Sequence, residues 1–260
     1  METSSNTIAN NNIATRYHFL DVVRGFALLS MILYHACFDL VYIHNLSIPW
    51  YTSSYGYYWQ QSICLILIFI SGMSWSLGKN PLRRGSVVFG FGFLIILITH
   101  IFIPSQAVSL GILSFLGIAM LLLIPLNKLL LKINCQIGLL LSLFLFILTK
   151  KIYYGYLSIE PFFHLELPDW IYEIPGFFIL GLPSDSFSSS DYYPIFPWLF
   201  LYIAGFYFWN IIKNNTRILH FLTLKITPFE KIGRNTLIIY MLHQPVLMAF
   251  FYLLSQLHVL

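Results

Sequence analysis

Apolar runs of about twenty residues, each long enough to cross a hydrocarbon core about 30 Å thick, recur along this 260-residue chain. They fall at 19–41, 58–78, 86–104, 107–127, 135–154, 193–212 and 236–257. Soluble domains carry roughly 25% charged residues, whereas this chain has 9% charged and 58% hydrophobic residues. Too few polar side chains are present to cover a water-facing surface. The expected fold is therefore all-α: a polytopic transmembrane helical bundle of about seven spans, occupying 16–260 as one domain. Residues 1–15 are polar and Asn-rich, without an apolar core or a small-residue cleavage site. They are expected to form a disordered cytoplasmic tail, and the first run reads as a retained signal anchor.

Charge orients the bundle. Of the fourteen Lys and Arg residues, all but Lys150 and Lys151 fall on one side of these spans. Asp39, Glu160, Glu166, Asp169, Glu173, Asp185 and Asp191 gather on the other side. Basic loops stay in the cytoplasm, so the N-terminus is expected inside and the C-terminus outside, with a long outer segment at 155–192. Within it, Ile174–Leu182 is too short to span and contains Pro175 and Gly176. It is expected to be re-entrant or interfacial. Cys37, Cys64 and Cys135 show neither metal-ligand spacing nor a disulfide pattern, and no metal is expected. The lipid bilayer is the expected partner, with no role for nucleic acid and a homodimer left open. The expected location is the plasma membrane.

Ionisable groups inside a span are costly and mark candidate sites. The first span holds Asp21, Arg24, His35 and Asp39. At about 100° per residue they share a stripe about 60° wide, with Arg24 about 16 Å from His35 along the axis. Such a stripe must face protein or water. Asp21 and Arg24 are at the spacing of an interfacial ion pair, and His35 with Asp39 one turn on is at the spacing of an oriented base or a satisfied structural pair. The last span contributes Gly233-Arg234-Asn235-Thr236 and Tyr240 through Pro245. Thr236, Tyr240 and His243 share a helix face, and Gln244 is within reach of the carbonyl that Pro245 leaves free. Ser188 to Trp198, with Asp191, forms the outer mouth of the sixth span. Ile70-Ser71-Gly72 supplies small residues for close helix packing.

These stretches together are similar to a known family. Asp21-Val22-Val23-Arg24-Gly25-Phe26-Ala27 with His35 resembles the opening motif of membrane-bound acyltransferases. Ile70-Ser71-Gly72, Leu110-Gly111-Ile112-Leu113, the Ser-Asp-Tyr-Tyr-Pro-x-x-Pro-Trp stretch and Gly233 to Val246 resemble bacterial proteins carrying the heparan-alpha-glucosaminide N-acetyltransferase catalytic domain. The resemblance runs from about residue 16 to 250. It implies transfer of an acyl group, typically acetyl, from cytoplasmic acyl-CoA (acetyl-CoA) to an extracytoplasmic sugar or glycan acceptor.

Carried onto this chain, the resemblance marks Arg24, His35, Asp191 and His243, and with Asp39 from the first-span stripe the candidate catalytic residues are His35, Asp39, Asp191 and His243. His35 would be the general base or be acylated transiently, oriented by Asp39 or Asp191. His44 is the nearest counterpart of a histidine that some relatives carry further along. Arg24, Arg234 and Asn235 are the candidate donor-binding residues, Arg being suited to phosphate. Arg83 and Arg84 are further candidates for holding phosphate at the inner mouth, although the positive-inside bias suffices to explain them. A transporter or flippase lined by the same stripe, or a non-catalytic membrane protein, are the alternatives.

Overall fold

A computed structural model describes residues 16–257. The expected tail at 1–15 lies outside the described residues. The structure is 71% helical. Among the described residues, seven helices are long and apolar enough to cross a membrane: His18–Ile43, Ser54–Leu77, Pro81–Phe102, Ile112–Leu130, Cys135–Tyr154, Ile195–Ile212 and Thr236–Gln256. Their regular α-helical parts are α1 (His18–Phe38), α2 (Ser54–Ser74), α3 (Pro81–Phe102), α4 (Ile112–Leu130), α5 (Cys135–Thr149), α6 (Ile195–Ile212) and α9 (Thr236–Gln256). Between the last two lie the short α7 (Thr216–Leu222) and α8 (Thr227–Arg234). The long segment after α5 folds into a hairpin, with β1 (Tyr156–Ile159) antiparallel to β2 (Phe163–Glu166). Phe177–Leu180 forms a 3-10 turn in that segment.

The middle of the bundle is α6, whose Tyr202 and Ala204 are wholly buried. Glycines let α2 meet it backbone to backbone. A Cβ on Gly72 would stand 2.0 Å from the Tyr202 carbonyl oxygen, and one on Gly205 would stand 2.2 Å from that of Phe69. The small residues of Ile70-Ser71-Gly72 thus serve close packing. A second glycine seam joins α1 to α8: a Cβ on Gly25 would lie 1.9 Å from the Phe229 oxygen, and one on Gly233 would lie 1.8 Å from the Asp21 oxygen. Both glycines belong to the polar motifs of the first and last spans, so the seam brings those two motifs together.

The start of α4 differs from the sequence expectation. The fourth apolar run begins at 107, but the helix begins at Ile112. Residues 107–110 spend their backbone groups on a distant strand-like segment. Ser190 N–H donates to the Ala107 oxygen at 3.0 Å and Tyr193 N–H to the Leu110 oxygen at 2.7 Å. Gly85 packs on Leu121, Phe89 on Gly117 and Gly92 on Ser114, so α3 and α4 run antiparallel. From Gly92, α3 continues to Phe102, about 15 Å further at 1.5 Å per residue, while α4 begins only two residues before Ser114, at Ile112. The N-terminus of α4 therefore lies inside the bundle, well short of the end of α3.

Candidate functional site

The basic end of the bundle is built around Asp21. Its Oδ2 accepts from Arg16 Nε at 3.0 Å and Nη2 at 2.7 Å, and its Oδ1 from Arg24 Nη1 at 2.6 Å. Arg24 Nη2 donates to Ser74 Oγ, and that hydroxyl donates to the Ile70 carbonyl at 2.7 Å. The expected i,i+3 pair exists, and a second arginine shares it. Two guanidinium charges on one carboxylate leave an excess of positive charge at this point. Across the glycine seam, Glu230 Oε1 pairs with His18 Nδ1 at 2.8 Å and with Arg234 Nη1 at 3.8 Å. The hydrogen bond to His18 holds the Glu230 carboxyl below its ordinary value.

These groups line a cavity of about 650 Å³. Its mouth carries Arg16, Lys79, Arg83, Arg84 and Arg234, with Asp21 and Arg24 in the wall. Along the first helix the lining passes from Asp21 and Arg24 to Leu28, and Leu67, Leu113, Leu116 and Met120 complete an apolar wall with Ile112 and Tyr240. The chamber thus has a cationic entrance and an aliphatic end. Asn235 is not among its lining residues. It ends α8 and its amide donates to the Lys231 carbonyl at 2.9 Å.

The upper part of the first-span stripe lies beyond this chamber. The cavity takes in Asp21, Arg24 and Leu28 but not His35 or Asp39. Those two meet the last span instead. The His35 and His243 rings pack edge-on, with centroids 4.8 Å apart. His243 Nδ1 lies 2.6 Å from the Tyr240 carbonyl. A carbonyl only accepts, so Nδ1 carries the proton and Nε2 holds a free lone pair. Asp39 is wholly buried and opens a π-helical turn, Asp39–Ile43. Its Oδ1 accepts from Gln244 Nε2 at 2.8 Å. The Gln244 amide therefore binds a carboxylate of the first span, and not the carbonyl freed by Pro245. A buried charge attracts a donor more strongly than a neutral carbonyl does. His44 packs against Phe251, with centroids 5.6 Å apart.

Asp191 marks the third element. Its Oδ2 accepts from the Ile112 N–H at 3.1 Å, so it caps the internal N-terminus of α4, where the helix dipole favours negative charge. Burial nonetheless pushes its carboxyl up to about 6, against the pull of that N–H. Next to it, Tyr193 and Cys64 share a buried hydrogen bond of 2.6 Å. Neither Asp39 nor Asp191 is bonded to His35. Each carboxylate is engaged elsewhere, by Gln244 and by Ile112.

Tyr240 links the chambers. Its side of α9 lines the cavity while its carbonyl fixes His243. His243 is three residues, about 4.5 Å of helix, beyond it. Sequence reasoning missed Lys79 on the cavity wall and set Arg83 and Arg84 aside there, because positive-inside bias already explained those charges. It also missed the partnership of Gln244 with Asp39, for which the local sequence carries no signal.

A family model described as "Heparan-alpha-glucosaminide N-acetyltransferase, catalytic" matches residues 16–245. No curated protein and no solved structure matches the chain.

Proposed function

The chain belongs to the heparan-alpha-glucosaminide N-acetyltransferase catalytic family, and on that footing we propose that it moves an acetyl group from cytoplasmic acetyl-CoA to a sugar or glycan on the far side of the plasma membrane. One observation carries the donor assignment: a cavity with a cationic end and an apolar end, lined by Tyr240, whose carbonyl holds His243. Acyl-CoA has that polarity, with anionic phosphates at one end and a thin neutral arm ending in the thioester. Arg84 and Arg234 would receive phosphate by paired N–H contacts, and Arg16, whose Nε and Nη2 already serve Asp21, by its remaining end. Arg24 has part of its charge matched by Asp21 and would contribute one remaining face. Leu28, Leu67 and Leu116 would sheath the arm and keep water from the thioester.

The His35–His243 pair would supply the base. The neutral imidazole takes the proton of the acceptor's O–H or N–H as that oxygen or nitrogen attacks the thioester carbonyl carbon. The new C–O or C–N bond forms, the C–S bond breaks, and the imidazolium returns its proton to the departing thiolate, giving free CoA. Water exclusion and the fixed Nδ1–H of His243 make Nε2 the basic nitrogen. The N-terminus of α4, which reaches the cavity at Ile112 and Leu113, would turn its positive dipole end toward the charge that develops on the carbonyl oxygen.

The test is purified protein in liposomes with acetyl-CoA labelled in the acetyl group. Release of CoA that depends on an added sugar, and vanishes in His243→Ala, supports transfer. Label retained on the protein and lost in the same variant identifies an acyl-histidine route. Solute uptake without any binding of acetyl-CoA would sink the enzyme and leave the transporter.

A further inference from the structure

Six buried side-chain atoms among the described residues lack a hydrogen-bond partner, and three of them are Asp39 Oδ2, His243 Nε2 and Gln244 Oε1. Buried polar atoms are almost always paired, by protein, water or ligand. Half of the exceptions therefore fall on one contact, between the outer end of α1 and the middle of α9. The contact is tied together by the 2.8 Å bond from Gln244 Nε2 to Asp39 Oδ1 and by the 4.8 Å packing of His35 on His243.

Their chemistry is one-sided. An ionised Asp39 only accepts, so the nitrogen of the Gln244 amide must face it and the amide oxygen is left over. His243 has its proton on Nδ1, committed to the Tyr240 carbonyl, which leaves a lone pair on Nε2. All three orphan atoms are acceptors. Such a set repels an anion and offers nothing to a bare carbonyl. It suits a group with at least two N–H or O–H donors, a primary amine or neighbouring hydroxyls on a sugar. Both helices are also irregular here, with the π-turn starting at Asp39 and Pro245 directly following Gln244. Interrupted ladders of this kind bend more readily than regular helix.

We propose that Gln244, held by Asp39, is a specificity-determining residue that together with His243 receives the reacting group of the acceptor through that group's N–H or O–H donors. The inference rests on the acyltransferase reading above and adds to it the residue that selects what is acylated. Gln244 Oε1 and Asp39 Oδ2 would hold the group by its spare donors, while Nε2 of His243 takes the proton that leaves.

Asp39→Asn tests this without a change of shape. Asn can still accept from Gln244, but it places an N–H where Oδ2 was, facing the incoming donor. Steady-state CoA release would be measured with acetyl-CoA and either D-glucosamine or D-glucose, for wild type, Asp39→Asn and Gln244→Met, alongside acetyl-CoA binding and thermal unfolding. The expected result is a rise of tenfold or more in KM for the sugar in both variants. The acetyl-CoA dissociation constant should be unchanged, and Asp39→Asn should unfold no earlier than wild type. Activity with D-glucosamine alone assigns the donors to an amine, and activity with both sugars assigns them to hydroxyls. A wild type that binds acetyl-CoA but responds to neither sugar overturns the inference, as does an unchanged sugar KM in Asp39→Asn. A wild type that does not bind acetyl-CoA overturns the acyltransferase reading itself.

Discussion

The two ends of the first helix solve the problem of buried charge in opposite ways. At the basic end, Asp21 is bonded by two arginines and the surrounding space is open, a cavity of about 650 Å³. At the other end, Asp39 is wholly buried, has one neutral hydrogen-bond donor, and shares its surroundings with other unpaired acceptors. The first arrangement is finished without a ligand and can receive one that carries negative charge. The second is closed and unfinished, and becomes complete only when something brings hydrogens. A donor substrate and an acceptor substrate of opposite polarity fit this division, with Tyr240 and His243 at the boundary.

The largest effect expected at that boundary is on chemistry alone. His243→Ala and His35→Ala should each lower turnover by about 100-fold or more, the usual yield of a positioned base, while acetyl-CoA affinity holds. Stopped-assay CoA release beside equilibrium binding checks this. An equal fall in affinity would mean that the two ends are one continuous site.

Next comes the seam on which the basic end depends. Gly233→Val places carbon within 1.8 Å of the Asp21 carbonyl oxygen, and backbone cannot yield as a flexible side chain does. Destabilisation of about 3 kcal/mol or more is expected, read as earlier thermal unfolding in detergent. Arg24→Ala should weaken acetyl-CoA binding about tenfold, the worth of one charged hydrogen bond, and more than Arg83→Ala does. Equal losses would remove the distinction between a structured wall and a merely cationic rim. Raising the salt concentration should shrink the Arg83 effect first, since exposed charges are screened more than buried ones.

The smallest effect concerns Asp191. Its folded value of about 6 exceeds the ordinary carboxylate value of about 4, so the folded chain holds the extra proton between them. The stability that this proton contributes is fully present below about pH 4 and is lost as pH rises towards 6. Asp191→Asn should flatten that slope by on the order of 1 kcal/mol. Thermal melts between pH 4.5 and 7 would show it, and a slope unchanged in the variant would assign it to another group.

The sequence made the spans, the charge bias and the candidate motifs readable, because twenty-residue apolar runs and their flanking charges are local signals. The start of α4 was not readable. Ala107, Val108 and Leu110 are as apolar as the helix that follows, and only their bonds to residues 190–193 show that they are not part of it. The stripe on the first span is divided in the structure: Asp21 and Arg24 line the cavity, while His35 and Asp39 meet the last span. Helical periodicity says which side chains share a face but not what packs against each portion of it. The preference of Gln244 for Asp39 over a nearby carbonyl rests on a contact 205 residues away in the chain.

The pairing of Gly25 with the α8 backbone also has a bearing on how the molecule is made. His18 and Glu230, which flank that seam, are separated by 212 positions. At about 5–20 residues per second of synthesis, the opening helix waits on the order of 10 to 40 s in the bilayer before its permanent neighbour is translated. The partners of Asp21, Arg16 and Arg24, are by contrast within five residues of it in the chain, so its carboxylate can be paired long before the late-arriving segment packs against its backbone.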